Sequence, residues 1–129
     1  MIILDENIPK GQRQLLRGWR IRALLIGEDI SRKGIQDDQI IPMLHELNRP
    51  TFFSRDLGFY RPKLCHVRYC LVCLAGSRYE AASFVRRFLR HPRFNTRAKR
   101  MSKVVRLSSA GIRFWQLHAE QESVVPWHP

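Results

Sequence analysis

The chain has 129 residues and a formal net charge of +12, from 23 lysines and arginines against 11 aspartates and glutamates. Its length suits one folded domain, and its hydrophobic fraction of 44% excludes a disordered tail. No apolar run approaches the roughly 18 residues that a membrane-spanning helix needs, so no membrane association is expected.

The first half of the sequence alternates short strands and helices. Its predicted elements are a strand at 2–4, a helix at 8–18, a strand at 21–26, a helix beginning near 38 or 42, and a strand at 51–53. Asn7 is predicted to cap the first helix, and Pro42 leaves the start of the second helix open. In either case Asp37 and Asp38 lie at the N-terminal end of that helix, where its dipole favours negative charge.

The second half is predicted to continue the sheet. After a loop at 57–66 come a buried strand at 69–74, a helix opened by a capping box of Ser77 and Glu80, a basic segment at 93–103, and a hairpin of strands 104–107 and 112–117. The order of elements predicts an α/β sandwich with a mainly parallel central sheet in residues 1–120. Residues 121–129 are predicted to form a loose tail.

The three cysteines are an odd number, which suits a reducing compartment. Together with the absence of a signal peptide in MIILDENIP, this predicts a cytoplasmic protein. Cys70 and Cys73 have the spacing of a metal-binding CxxC pair, but residues three apart on a strand point to opposite faces. The sequence therefore predicts cysteines of the core here, not a zinc or redox site.

Carboxylates follow two of the predicted core strands and open a helix. Asp5 comes after the first strand, Asp56 comes after the third, and Asp37 starts the second helix. In parallel α/β sheets, ligands bind beyond the carboxyl ends of the strands. Clustered carboxylates need a compensating cation, and hard ions such as Mg²⁺ or Mn²⁺ prefer oxygen ligands. The alternative is that Asp5 and Asp37 are helix caps and Asp56 is a turn residue.

The segments LDENIP, DDQI and SRDLGF resemble, in this order and spacing, the motifs LDExxP, DxxI and TxDxDF of small bacterial PIN-like domains. The resemblance covers about residues 1–74, and the remainder matches in layout only. It implies a three-layer, Rossmann-like fold and a metal-dependent nuclease, of the kind found as toxins in VapBC-like toxin–antitoxin modules. A cognate antitoxin and a homodimer are then candidate partners, besides RNA.

The resemblance also implies roles for individual residues. Asp5, Asp37 and Asp56 would be the catalytic, metal-binding acids, and their metal would activate a water molecule for attack on a phosphodiester. Glu6 is a further candidate ligand or an exposed neighbour, and Asp38 is the alternative to Asp37. Gly58 replaces the second acid of TxDxDF and Ser54 its threonine, which implies a site of three carboxylates with weak activity or none.

The basic excess favours a polyanionic partner, most often nucleic acid, over a solubilising surface alone. Basic residues flank the third motif and fill the segment before the hairpin. The predicted phosphate contacts are Arg55, Arg61, Lys63, Arg97, Lys99, Arg100 and Lys103.

Two other functions fit parts of the pattern. A receiver domain of a signalling protein would use Asp5 and Glu6, a phosphorylated Asp56, Ser77 and Lys103. A non-catalytic RNA-binding domain of PIN-like type would account for Gly58. Phosphorylation of Asp56 by a small phosphodonor separates the receiver domain from the nuclease.

Overall fold

A computed structural model describes residues 1–128 of the chain. Its strands are β1 (Ile2–Leu4), β2 (Leu24–Leu25), β3 (Thr51–Ser54), β4 (Cys70–Leu74), β5 (Lys103–Ser108), β6 (Gly111–Gln116) and β7 (Ser123–Val125). Its α-helices are α1 (Lys10–Gly18), α2 (Asp37–His45), α3 (Ala81–Arg90) and α4 (Arg97–Arg100). Single turns of 3-10 helix lie at Leu57–Phe59, Pro62–Leu64 and Arg78–Glu80.

The strands form one seven-stranded sheet in the order β2-β1-β3-β4-β5-β6-β7. Strands β2 to β5 pair in parallel, whereas β6 and β7 are antiparallel. The predicted α/β class is confirmed. The prediction of a mainly parallel sandwich is corrected to a mixed sheet, because the last two connections are short turns, which return the chain antiparallel to the preceding strand.

Helices and loops bury both faces of the sheet. On one face Leu4, Phe53 and Val72 belong to a core that includes Phe84 and Phe88 of α3. On the other face the sheet packs against residues of α2 and the loops that follow β3 and precede β4. Cys70 belongs to the first core and Cys73 to the second, both fully buried. The prediction of core cysteines on opposite faces is therefore confirmed.

Helix α2 begins at Asp37, one of the positions that its sequence allowed. Gln36 and Gln39 form a reciprocal capping box across its first turn, and Pro42 lies inside the helix. A proline in the second turn removes a single backbone hydrogen bond, which the caps and the buried Ile40 and Leu44 offset. Asp37 is thus held at the positive end of the helix dipole.

The C-terminal segment differs from the prediction of a loose tail at 121–129. Within its described part, β7 pairs with β6, Val125 is buried, and the Trp127 ring stacks on Phe84. A three-residue strand has too weak a pattern to be recognised without its partner. Position 129 lies outside the described residues. No helix within residues 1–128 is long and apolar enough to span a membrane.

Candidate active site

The three predicted acids lie at the carboxyl-end edge of the parallel strands, where Asp37 and Asp56 are adjacent and Asp5 is turned toward Ser54. Asp5 directly follows β1, Asp56 is the second residue after the neighbouring β3, and Asp37 opens α2. A hydrogen bond with the Asp56 side chain is the largest cause of a raised pKa at Asp37, and Asp5 adds a smaller repulsion. Asp37 and Asp56, with Asp38, Gly58 and Arg61, line an open cavity of about 280 Å³. The structure therefore brings together the acids predicted from the sequence.

Ser54 connects the acids to one another. Its hydroxyl donates to Asp5 Oδ2 at 2.6 Å and accepts from the backbone N–H of Asp56 at 3.0 Å. The Asn7 side chain donates to the same hydroxyl at 3.0 Å and accepts from the N–H of Arg55. Asn7 thus joins the first motif to the third, and it does not cap α1, whose N-cap is Pro9.

Asp5 is the most buried of the acids, with 8% of its surface exposed. Burial raises its pKa, while the hydrogen bonds from Ser54 and from the N–H of Glu6 act in the opposite direction. The charges of Glu6 and Asp56 raise the pKa further. Asp5 is held in one orientation, and its ionised form is destabilised by its surroundings.

No basic side chain within residues 1–128 forms an ion pair with any of these acids. The described part of the chain likewise contains no group of three or more His, Cys, Asp or Glu side chains arranged to hold a metal ion. The structure therefore contains an adjacent pair of carboxyl groups, Asp37 and Asp56, with Asp5 nearby and turned toward Ser54.

Glu6 faces a different part of the molecule. Its carboxylate accepts from the N–H of Gly34 at 2.9 Å and lies close to Gly27, so it anchors the loop that connects β2 to α2. Of the two roles predicted for Glu6, this contact favours that of an exposed neighbour of the site. Its carboxylate binds Gly34 and not the Asp37–Asp56 pair.

Gly58 closes the turn after Asp56. Its N–H donates to Asp56 Oδ1 at 2.8 Å, and Asp56 thereby caps the 3-10 turn at Leu57–Phe59. A Cβ atom added at position 58 would lie 2.9 Å from the same Oδ1. A side chain at this position therefore requires the Asp56 carboxylate to move.

The predicted basic contacts divide into two groups. Arg61 lines the cavity beside Asp56, Arg55 precedes Asp56 in the chain, and Lys63 is exposed in the next turn. The segment from Arg97 to Lys103 lies at the amino ends of the strands instead. Arg100 contacts Thr51, which begins β3, whereas Asp56 follows the opposite end of that strand.

The prediction that Arg100 contacts phosphate is wrong. It is only 7% exposed, and its guanidinium donates to Thr51 Oγ1 at 2.9 Å and to the carbonyl of Phe94 at 3.0 Å. Lys99 and Lys103 also donate to backbone carbonyls of their own segment, those of Pro92 and Lys99. A basic run in the sequence cannot reveal that its cations satisfy internal carbonyls.

The sequence did not predict the positions of four residues: Asn7 and Ser54, whose hydrogen bonds hold the acids, and Arg106 and Arg113, which lie on the β5–β6 hairpin. Asn7 and Ser54 lie inside the recognised motifs, so their position next to the acids was the available signal. Arg106 and Arg113 face each other across the β5–β6 hairpin. Two arginines on the same face of a predicted hairpin were the signal for this pair.

Comparison of the chain with protein-family models, with curated proteins and with solved structures finds no match in any of the three.

Proposed function

We propose that this chain is a divalent-metal-dependent endoribonuclease of the PIN-like type, with the three-layer, Rossmann-like architecture of that class. The observation that carries the proposal is the adjacent pair Asp37 and Asp56, with Asp5 at the same sheet edge and no cation paired with any of the three in the described chain. Lysines and arginines outnumber acids by 23 to 11, so basic partners for these acids were abundant. Such a cluster can be fully ionised only when positive charge comes from another source.

Mg²⁺ or Mn²⁺ suits this set of oxygen donors, because hard divalent ions prefer carboxylates. Asp37 and Asp56 would hold the ion as the primary pair, and Asp5 would complete the set from the adjacent strand. Such an ion supplies an activated water molecule and neutralises charge on a phosphodiester.

The protein's own residues position these acids and control their protons. Ser54 and the N–H of Glu6 orient Asp5, while the N–H of Gly58 orients Asp56. The raised pKa values of Asp5 and Asp37 mean that both hold a proton to higher pH than an ordinary aspartate. Both carboxyl groups would have to lose these protons before they could bind a cation, so activity is expected to rise with pH through the acidic range.

The receiver domain is the weaker alternative for a geometric reason. Lys103 starts β5, at the opposite end of the sheet from Asp56, so it cannot contact a phosphoryl group on that residue. Ser77 is engaged in a capping box with Glu80. The non-catalytic RNA-binding domain differs from the nuclease only in the outcome of a cleavage assay.

The test is cleavage of a labelled oligouridine by the purified chain in the presence of Mn²⁺ or Mg²⁺. Asp37→Asn and Asp56→Asn are expected to abolish cleavage, because each removes half of the primary pair. Glu46→Gln is the matched control, since Glu46 is an exposed acid at the other end of α2. Thermal melting with and without Mn²⁺ is a second readout, in which the wild type and Glu46→Gln gain stability and Asp37→Asn does not.

Cleavage that persists in EDTA and in both aspartate variants would show that the acids do not form the active site. RNA binding without cleavage at any Mn²⁺ concentration would favour the non-catalytic alternative.

A further inference from the structure

A row of directly opposed residues runs across the sheet from the acids to the C-terminal hairpin. In register, Ser54 of β3 lies beside Cys73, Cys73 beside Arg106, Arg106 beside Arg113, and Arg113 beside Val124 of β7. Directly opposed residues point to the same face of a sheet. Because neighbouring strands are about 4.8 Å apart, Arg106 lies about 10 Å along this row from Ser54, the residue that holds Asp5.

The two arginines of this row are incompletely compensated. Like charges directly opposite each other destabilise an antiparallel pair. Arg113 forms an ion pair with Glu122 at 2.9 Å, but Arg106 has no ion pair within residues 1–128, and its Nε atom is buried without a hydrogen-bond partner. An unpaired, partly buried guanidinium is costly unless an anion binds to it.

Arg106 lies on the same side of the sheet as Ser54 and is separated from it by Cys73. Both Asp56 and Arg106 act on the thiol of Cys73, whose pKa burial raises to about 12, so this thiol is neutral and cannot neutralise the arginine. Arg106 and Arg113 also both act on Tyr60, which donates its hydroxyl to Glu122. Through Glu122, Arg113 is therefore linked to Tyr60, which follows the turn after Asp56, on the same side of the sheet.

We propose that Arg106 and Arg113 bind backbone phosphates of an RNA strand that crosses from the Asp37–Asp56 pair over β5 and β6. Guanidinium groups bind phosphate oxygens in a bidentate manner, which suits two arginines projecting from a rigid hairpin. The position of the scissile phosphate in this scheme rests on the proposed nuclease function. The binding itself does not, and it can be measured without cleavage.

The experiment measures binding of a fluorescein-labelled oligouridine by fluorescence anisotropy in EDTA, over a series of KCl concentrations. Arg106→Met and Arg113→Met are combined, because methionine keeps much of the apolar stem of arginine while removing its charge. The slope of log affinity against log salt is expected to become shallower by about 1.4, since each phosphate contact with a single strand contributes about 0.7.

The matched control removes the same charge at the other end of the sheet, by Arg97→Met combined with Lys99→Met. Both residues are exposed and lie at the amino ends of the strands, away from the acids. We therefore expect their replacement to leave the slope unchanged, in contrast to the sequence-based prediction that they contact phosphates. Glu122→Gln provides a change of opposite sign, because it frees Arg113 for phosphate and is expected to tighten binding. Arg106→Lys, which retains the charge, is expected to keep most of the slope.

Thermal melting of every variant verifies that the fold is retained. If the double variant does not fold, the test rests on the other two variants: Glu122→Gln must tighten binding, and Arg106→Lys must keep most of the slope. An unchanged slope in the folded double variant, or an equal loss in the Arg97 and Lys99 control, would overturn the inference. Binding through the arginines without cleavage would overturn only the nuclease function. Cleavage with binding indifferent to the arginines would overturn only the RNA path.

Discussion

The two ends of the sheet use charge in opposite ways. At the amino ends of the strands, Arg100 is buried and donates to the Thr51 hydroxyl and the carbonyl of Phe94. Lys99 and Lys103 donate to backbone carbonyls of their own segment. At the carboxyl ends, Asp37 and Asp56 are drawn together with no cation between them in the described chain. Arg100 has its partners within the fold and therefore stabilises it. The Asp37–Asp56 pair has no cation as a partner, and its surface is therefore the one expected to bind a ligand.

Arg100→Ala is expected to have the largest effect on stability, about 3 kcal/mol, because Thr51 and the carbonyl of Phe94 both lose a charged hydrogen-bond donor. Urea denaturation measures this loss, and Arg97→Ala, which is exposed, should change stability by less than about 0.5 kcal/mol. Oligouridine affinity should be the same in every Arg100 variant that folds. A stable Arg100→Ala protein with weakened RNA binding would show that the amino ends of the strands bind RNA and that Arg100 is not structural.

Ser54→Ala is expected to lower Mn²⁺ affinity or cleavage by about 10- to 100-fold, the usual effect of removing a group that orients a metal ligand. The variant frees Asp5 from its 2.6 Å hydrogen bond and leaves the acid itself in place. Ser54→Thr, which introduces the threonine of the PIN-like motif that the sequence resembles, should retain activity. Steady-state cleavage over a Mn²⁺ series measures both variants, and full activity of Ser54→Ala would exclude a positioning role for this hydroxyl.

Gly58→Ala is expected to increase the required Mn²⁺ concentration several-fold, because the new Cβ atom displaces the Asp56 carboxylate from its cap. Gly58→Asp adds the acid of the PIN-like motif that the sequence resembles but introduces the same steric conflict. The sequence alone predicts a gain of activity in the aspartate variant. If Gly58→Asp exceeds both Gly58→Ala and the wild type, an acid at 58 joins the site; if it matches Gly58→Ala, the turn excludes one.

The smallest expected effect is on the pH dependence of stability. The raised pKa of Asp37, caused first by its hydrogen bond with Asp56, contributes stability below the pKa of an unfolded aspartate, near 3.9, and this contribution is lost as pH rises through the folded value. The Tm of Asp37→Asn relative to that of the wild type should therefore increase by a few degrees as pH rises from about 3 to 7 in EDTA.

Asp38→Asn is the control for this titration, as a neighbouring exposed acid in the same turn of α2. Its difference in Tm from the wild type should vary less with pH. A constant difference between the wild type and Asp37→Asn across the titration would mean that the two carboxyl groups do not interact in solution.

The sequence by itself determined the elements whose pattern is local. The apolar runs of β1, β3 and β4, the amphipathic stripe of α3 and the Ser77–Glu80 capping box all lie where the pattern indicated. Asp5 and Asp56 reached one edge because acids that follow adjacent parallel strands must meet there. Cys70 and Cys73 separated to opposite faces for the equally local reason of strand alternation.

Only the tertiary structure decided which charges have partners. The internal role of Arg100 depends on Thr51, 49 positions away, and the link from Asn7 through Ser54 to Asp5 spans a similar separation. The strand β7 forms because β6 offers it an edge, and Arg106 lies on the same side of the sheet as Ser54 because β3, β4 and β5 are in register. Such contacts join residues that are distant in the chain, so periodicity and composition cannot predict them. The partner of each side chain is determined by tertiary packing.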